Sequence, residues 1–207
     1  MLPDNHNKTG GYAGSAVWGS SPSIDIKRNH VYIATGNLYS APLNVSQCQE
    51  KENNQTVPTN PNQCVEPDNH SESILALDLD SGKIKWYHQL GGYDVSFVAC
   101  NNLSTPNCPP GPNPDADFGE APLLFSVKSN KTKLDIVAAV QKSGFAWALD
   151  RNNGNLIWVT VSKFHKFLIF VSFFALMLIV SHFFFGCKDN HRDGLEQYYS
   201  SNDRIKY

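Results

Sequence analysis

Charge of either sign is sparse in this sequence, and no long acidic or basic run occurs anywhere. The 207 residues include 17 Lys and Arg against 19 Asp and Glu, which gives a net charge of −2. The sequence pI is near 6.4. A chain that binds nucleic acid needs a basic patch or stripe to meet the phosphates. We therefore expect no nucleic-acid partner.

Tight cysteine pairs are also missing. None of the five cysteines forms a C-x-x-C pair, and there is no C-x-x-C-H motif. This excludes a covalently attached haem of that type and disfavours a zinc site. Cys48 and Cys64 lie in one loop-like region and Cys100 and Cys108 in another. We predict disulfides, within each pair if the loops are self-contained.

The chain lacks a secretory signal peptide, because residues 1–6 are polar from the start. It nevertheless has more Asn-x-Ser/Thr sequons than the roughly two or three expected by chance. The six sequons begin at Asn7, Asn44, Asn54, Asn69, Asn102 and Asn130. The excess predicts a secretory, extracellular protein. Either the start of the chain is missing, or the chain is cytosolic and the sequons are unused.

A repeated hairpin pattern organises the rest. Residues 76–86, ALDLDSGKIKW, return 72 positions later as residues 148–158, ALDRNNGNLIW. Each copy has a short apolar strand, a turn that begins at Asp and ends at Gly, and a strand that ends in Trp. Asp can accept hydrogen bonds from turn amides, and Gly supplies the positive φ that hairpin turns need. The pattern predicts two β-hairpins.

Strand, turn and strand also precede each hairpin, in residues 22–36 and 122–140. Each unit therefore has four strands. Repeated four-stranded units with a terminal Trp indicate an all-β fold, as a fragment of a β-propeller with about two blades. A closed propeller would need several hundred residues. A sandwich with two similar hairpins is the alternative fold.

Composition divides the chain into segments. Residues 1–160 carry the blades, and residues 1–16 read as loop. Residues 38–73 are rich in Asn, Gln, Pro, Glu and Cys, which predicts a surface insertion too polar to have its own core. A second irregular stretch covers residues 101–117.

The amino-acid composition changes abruptly after Thr160. Residues 161–186 form an apolar segment, of which 167–186 are almost continuously apolar, and residues 187–207 form a polar tail. About 20 apolar residues suffice to span a bilayer, so a membrane helix is one explanation. Translated intron sequence is the other, and we favour it because the switch falls abruptly inside a repeat. In the first case the protein would be membrane-anchored.

Residues 12–159 resemble the pyrroloquinoline-quinone (PQQ) dehydrogenases, and within them the polyvinyl-alcohol-dehydrogenase-like proteins. The repeat A-x-D-x-x-(S/T)-G-x-x-x-W carries the resemblance, with Asn153 in place of Thr in the second copy. The resemblance implies an eight-bladed propeller that oxidises an alcohol, small or polymeric, with PQQ and Ca²⁺. It is specific for the fold and less informative about activity.

The resemblance assigns roles to four residues. Trp18 is similar to the indole that stacks on the quinone, and Asn37 to the Asn whose amide oxygen binds Ca²⁺. Asp117 is similar to the catalytic base, with Asp115 and Asp94 as competitors. Lys142 matches the basic residue near the quinone oxygen. The alternatives are a core Trp between blades, a turn Asn, a solvated loop carboxylate and a turn Lys in water.

The departures from the family pattern are equally specific. The family has a further Ca²⁺ ligand, a Glu, and two adjacent Cys upstream of the Trp18 region, and this chain starts too late to supply them. The pocket is therefore incomplete, and further blades are implied partners. Two other functions stay open: a non-catalytic extracellular propeller module that binds a glycan or protein, and a membrane-anchored fragment with a lumenal domain.

Overall fold

The structure of the chain is a computed structural model. It describes residues 1–7, 9, 11–18, 21–53, 64, 66, 68–90, 94–96, 100, 115–129 and 132–161. In chain order, its elements are β1 (Ala13–Gly14), β2 (Ser23–Asp25), β3 (His30–Ala34), β4 (Leu38–Ser40), α1 (Leu43–Asn53), β5 (Ser73–Asp78), β6 (Ile84–Gln89), β7 (Leu123–Ser129), β8 (Thr132–Val140), β9 (Phe145–Asp150) and β10 (Leu156–Val161).

The strands form two four-stranded antiparallel sheets. The first sheet has the order β2-β3-β5-β6 and the second the order β10-β9-β8-β7. In the second sheet, strands that follow one another in the chain are neighbours, as in a meander. The first sheet omits β4, which pairs with β1 in a separate two-stranded sheet. The prediction of two four-stranded antiparallel units is confirmed. The number of eight blades stays a prediction.

The two Trp hairpins have the predicted turn chemistry. In the first, Gly82 has a φ of 70° and the Asp78 carboxylate accepts a hydrogen bond from the Ser81 amide at 2.9 Å. In the second, Gly154 has a φ of 73° and the Asp150 carboxylate accepts one from the Asn152 amide at 2.7 Å. Both turns therefore need Gly at the end and Asp at the start.

The main core lies between the two sheets. Tyr32, Ile74 and Ala76 of the first sheet pack with Val137 and Trp147 of the second. Every one of these side chains is almost fully buried. The alternation along the strands therefore points one face of each sheet at the other.

Trp86 connects the first sheet to the second hairpin turn. Its indole Nε1 donates a hydrogen bond to the carbonyl of Arg151 at 3.1 Å. A Cβ added to Gly154 would lie 2.5 Å from Cε3 of Trp86, so the ring rests directly on the glycine. Gly82 and Gly154 thus each form part of a hairpin turn, and Gly154 also packs against Trp86 of the preceding unit.

Ion pairs join the same two units at the turn that follows β2. Asp25 is paired with Arg28 at 2.9 Å and with Arg151 at 3.1 Å, and Arg28 also reaches Asp135 at 2.7 Å. Burial alone would raise the pKa of Asp25, but hydrogen bonds from Arg151 and Arg28 hold it below its usual value. The two sheets are therefore fixed by charge at one end and by apolar packing between them.

The expected insertion is more ordered than its composition suggested. Leu38–Ser40 pairs with Ala13–Gly14, so neither segment is simple loop. Helix α1 follows, and Val45 on it packs with Tyr12, Leu38 and Val95 in a second, smaller core. The sequence predicts that residues 38–73 are too polar to have a core of their own, and this stays a prediction. Val45 and Leu38 share their cluster with Tyr12 and Val95, which lie outside the insertion.

The apolar segment from 162 onward and the polar tail 187–207 lie outside the described residues. Within the part of the chain that the structure does describe, no helix has the length and apolar character needed to cross a bilayer. Membrane helix and translated intron both stay predictions.

Candidate active site

Four residues singled out from the sequence meet at one end of the two sheets. Trp18 precedes β2, Asn37 follows β3, Asp117 precedes β7 and Lys142 follows β8. Antiparallel pairing places the start of one strand beside the end of its neighbour, so each sheet brings two of these positions together. Packing of the sheets then brings the two pairs into contact.

Lys142 and Asp117 form an ion pair at the centre of this group. The Lys142 ammonium lies 2.7 Å from Oδ2 of Asp117 and 3.0 Å from Oδ1 of Asp115. Asp117 is 1% exposed, which overturns its alternative interpretation as a solvated carboxylate. Burial alone would lower the pKa of Lys142, but hydrogen bonds to Asp117 and Asp115 raise it. The lysine is therefore a fixed cation.

The other carboxylate oxygen of Asp117 is held by the first sheet. Its Oδ1 accepts a hydrogen bond from the backbone N–H of Asn37 at 2.7 Å. A Cβ on Gly36 would collide with this same Oδ1 and would lie 2.9 Å from Nε1 of Trp18. Glycine is required at position 36 because the carboxylate and the indole both approach its backbone. Asp117 is thus oriented from both sheets.

Trp18 borders the site without being part of the core. Its side chain is 49% exposed, so it does not belong to the core between these two sheets, and the alternative of a Trp buried between blades stays a prediction. The Lys142 ammonium lies 5.2 Å from the centre of its ring. This distance permits a cation–π attraction. An exposed indole beside a fixed cation offers an apolar surface on which a planar, anionic molecule can stack.

Asn37 has an acceptor that none of the described residues uses. Its Nδ2 donates to the carbonyl of Ser96 at 2.6 Å and to that of Leu38 at 3.0 Å. Its Oδ1 is buried and has no hydrogen-bond partner among the described residues. Such an orphan oxygen is unusual in a folded protein and is the type of ligand that Ca²⁺ takes. Asn37 therefore fits the predicted role of a Ca²⁺ ligand.

The described residues do not complete a metal site by themselves. They contain no group of three or more His, Cys, Asp or Glu side chains placed to hold a metal ion. Asn37 is one donor, and one neutral donor does not bind Ca²⁺.

Asp94, a competitor for the role of base, supports the loop that carries Asp117. Its carboxylate accepts hydrogen bonds from the backbone amides of Ala116 at 2.7 Å and Asp115 at 3.3 Å. Asp94 is 2% exposed. Burial raises its pKa to about 7, against these two hydrogen bonds, and the nearby charges of Asp117 and Asp115 add to the rise. Asp94 therefore binds backbone amides, whereas Asp117 forms an ion pair with Lys142.

Glu72 is a buried acid next to the site that the sequence analysis did not identify. It is fully buried and has a φ of 50°, in the left-handed region. Burial raises its pKa well above the usual range, and the charges of Asp94 and Asp117 add to the effect. The one signal in the sequence is a charged residue directly before the apolar strand β5, and this alone does not predict burial.

The structure pairs Cys48 with Cys64 in a disulfide, with their Cα atoms 5.7 Å apart. Cys100 is also disulfide-bonded. Cys108, its predicted partner, lies outside the described residues. The Cys48–Cys64 bond attaches helix α1 to the chain that leads back to β5.

Comparison with known proteins places this geometry in context. No family model matches the chain. Polyvinylalcohol dehydrogenases from Pseudomonas sp and from Sphingopyxis sp. strain 113P3 are each 29% identical to it, over 162 and 163 residues, or 76% and 75% of this chain. The chain resembles polyvinylalcohol dehydrogenases in sequence. It spans about a fifth of their length, 21% in both cases.

Solved structures give similar partial matches. A quinohemoprotein alcohol dehydrogenase from Comamonas testosteroni is 25% identical over 72% of this chain and 17% of its own, with a TM-score of 0.46. A europium-containing methanol dehydrogenase is 20% identical over 75% of this chain and 22% of its own, with a TM-score of 0.48. The predicted resemblance to the polyvinyl-alcohol-dehydrogenase-like proteins is confirmed by the two sequence matches.

The residues at the site also fit a quinone such as PQQ. The side chains include an exposed indole for a planar ring and a fixed ammonium for its anionic oxygens, and the glycine at position 36 leaves room for the Asp117 carboxylate and the Trp18 indole. These features come from two sheets only. The opposite side of any such pocket has to be supplied by other residues.

Proposed function

We propose that this chain provides two blades, and with them one wall of the catalytic pocket, of an oxidoreductase that acts on CH–OH groups with PQQ and Ca²⁺. The ion pair between Asp117 and Lys142 beside Trp18 is the observation that carries the proposal. Sequence similarity to polyvinylalcohol dehydrogenases supports it. Because the chain spans about a fifth of those relatives, the activity belongs to a longer protein.

Asp117 would accept the proton of the alcohol hydroxyl. Its carboxylate is buried and held on both oxygens, by the Asn37 amide and the Lys142 ammonium. A general base works best when it is held in one position and shielded from water. When bound, PQQ supplies the acceptor for the hydride that leaves the carbinol carbon. Lys142 lies where a cation would stabilise negative charge on an acceptor oxygen.

Asn37 would contribute its amide Oδ1 to Ca²⁺, and the remaining ligands would come from blades outside this chain. The substrate would be a small or polymeric alcohol, as the names of the relatives suggest for the polymeric case. The sequons and the Cys48–Cys64 disulfide favour a secreted protein, since disulfides persist in oxidising compartments.

The test uses a longer protein in which further blades are joined to this chain. We expect it to bind PQQ in the presence of Ca²⁺ and to oxidise an alcohol with a dye as electron acceptor. Asp117→Asn should lower kcat by about 10² to 10⁴ while PQQ still binds, as expected when a general base is lost. Asp80→Asn, a charge change in an exposed hairpin turn, is the matched control.

Equal turnover of Asp117→Asn and the unmodified protein would move the role to Asp115 or Asp94, or would end the assignment as an enzyme. A longer protein that binds neither PQQ nor Ca²⁺ would favour a non-catalytic module that binds a glycan or protein.

A further inference from the structure

Glu72 links the two halves of the candidate site through its backbone and its side chain. Its N–H donates to the carbonyl of Gly36 at 3.1 Å, and its own carbonyl accepts from the Leu90 amide at 2.7 Å. Its Oε2 accepts a hydrogen bond from Nε2 of Gln141 at 2.6 Å. Gly36 and Gln141 are the direct neighbours of Asn37 and Lys142 in the chain. Glu72 therefore contacts the residue that precedes Asn37 and the residue that precedes Lys142.

Gln141 also forms hydrogen bonds within the turn that carries Lys142. Its Oε1 accepts a hydrogen bond from the Ser143 hydroxyl at 2.5 Å, and its carbonyl accepts one from the Gly144 amide at 2.9 Å. The Lys142 amide donates to the carbonyls of Ala116 at 3.1 Å and Asp117 at 3.0 Å. The turn is thus fixed on one side by Glu72 and on the other by the Asp117 loop.

Glu72 has a backbone conformation that is unusual for a glutamate. A φ of 50° puts a non-glycine residue in the left-handed region, at a cost of roughly 1–2 kcal/mol. Gly or Asn would adopt this conformation more easily. Strained residues persist where the surrounding structure holds them, and they cluster at functional sites.

We propose that Glu72 is a positioning residue that holds the Lys142 turn against Asp117 across the boundary between the two sheets. It acts through Gln141 and does not touch a substrate. Its raised pKa is consistent with this role, because a neutral acid can be buried near Asp94 and Asp117 where a charged one would repel them. Its role in catalysis rests on the proposed function, but its hydrogen bond with Gln141, the residue before Lys142, does not.

Lysine reactivity in the full 207-residue chain tests the proposal without an activity assay. Each lysine is acylated at pH 8, and its rate is followed by peptide mass spectrometry. In the unmodified chain Lys142 should react slowly, because its ammonium is shared by two carboxylates. Glu72→Met, which removes the acceptor at similar size, should raise the Lys142 rate by about fivefold, the change expected for one lost buried hydrogen bond.

Two variants control this result. Glu72→Gln keeps an acceptor for Gln141 and should leave the Lys142 rate unchanged. Thr35→Val removes a buried hydroxyl that bonds to the carbonyls of His70 and Ser73 in the same corner, without touching Gln141. It should lower the free energy of unfolding and leave Lys142 protected relative to the other lysines.

If Glu72→Met does not fold, Gln141→Met breaks the same hydrogen bond from its other end and is read in the same way. An unchanged Lys142 rate in the folded Met variant would overturn the proposal. So would an equal rise in Thr35→Val, because the effect would then be general loosening of the corner. Failure of the longer protein to oxidise alcohols would leave this result unaffected.

Discussion

At the scale of single residues, the candidate site contains more acid than its single lysine balances. Asp94, Asp115 and Asp117 lie around Lys142, and Glu72 is buried nearby. Burial raises the pKa of Glu72, Asp94 and Asp115 above their usual values. The fold accommodates the cluster by keeping protons on some of these groups and by placing backbone amides and one ammonium beside the others.

Asp94 should make the stability of the chain depend on pH. Because its pKa is raised to about 7 in the folded state from 3.8, the folded state binds the proton more tightly than the unfolded state does. Its contribution to stability is present at low pH and is lost as the pH rises from about 4 through 7. Urea unfolding at pH 5 and pH 8 should show a smaller difference in Asp94→Asn than in the unmodified chain. An equal difference in both would assign the dependence to other groups.

Exposure should decide which sequons carry a glycan. Asn7 and Asn44 are exposed, whereas Asn69 is 3% exposed and its Oδ1 accepts a hydrogen bond from the Ser71 amide at 3.1 Å. Glycopeptide mapping of secreted protein should find the first two modified and Asn69 bare, because a glycan cannot fit where the asparagine is packed. A glycan on Asn69 in folded protein would contradict the packing of this corner. The sequons at Asn54, Asn102 and Asn130 lie outside the described residues.

At the scale of elements, both hairpin turns reverse the chain, and the second also packs against the other sheet. Both turns end in a glycine with positive φ, which any L side chain adopts only with strain. The Gly154 turn also receives the Trp86 ring, while nothing lies within 4 Å of a Cβ added to Gly82. The two glycines are therefore matched in backbone conformation and differ in the contact between units.

This difference can be measured with a pair of alanine variants. Gly82→Ala should lower the free energy of unfolding by about 1–2 kcal/mol, the cost of the left-handed conformation. Gly154→Ala should cost about 1–3 kcal/mol more, because its Cβ would overlap Trp86 and force the ring away. Chemical denaturation of both variants checks this, and near-UV circular dichroism should change only for Gly154→Ala. Equal losses of unfolding free energy in the two variants would mean that the packing of Trp86 against Gly154 contributes little to stability.

At the scale of the whole molecule, the described residues form two packed sheets with one wall of a pocket. Lys142 and Trp18 are partly exposed while Asp117 is buried behind them, and the described residues do not complete a metal site. The match covers about a fifth of the length of the polyvinylalcohol dehydrogenases. The two sheets hold these side chains in place, and in the proposed function further blades would enclose the pocket.

The isolated chain should therefore show no alcohol oxidation, even with PQQ and Ca²⁺ added. One wall of a pocket cannot exclude water or provide a full set of Ca²⁺ ligands, and both are needed for hydride transfer. A dye-reduction assay with a range of alcohols checks this, with the longer protein as the positive control. Turnover by the 207-residue chain alone would contradict the division of the pocket among several blades.

The sequence by itself determined the local features of this protein. Strand alternation, Asp and Gly in the turns and one Trp per repeat are set by near neighbours, so the hairpins and the four-stranded units were predictable. The resemblance selected Trp18, Asn37, Asp117 and Lys142, but their contacts join residues far apart in the chain, such as Asn37 with Asp117 and Trp18 with Lys142. Such contacts depend on how the two sheets pack.

Only the tertiary structure decided how these residues interact. It gave Lys142 two carboxylate partners, used Asp94 to bind backbone amides, and buried Glu72 between the sheets. It also gave the polar stretch after Leu38 a helix whose Val45 finds a core in neighbouring loops. The physical reason is common to all of them: burial and the distance between charges are properties of packed surfaces, and a linear pattern does not contain them.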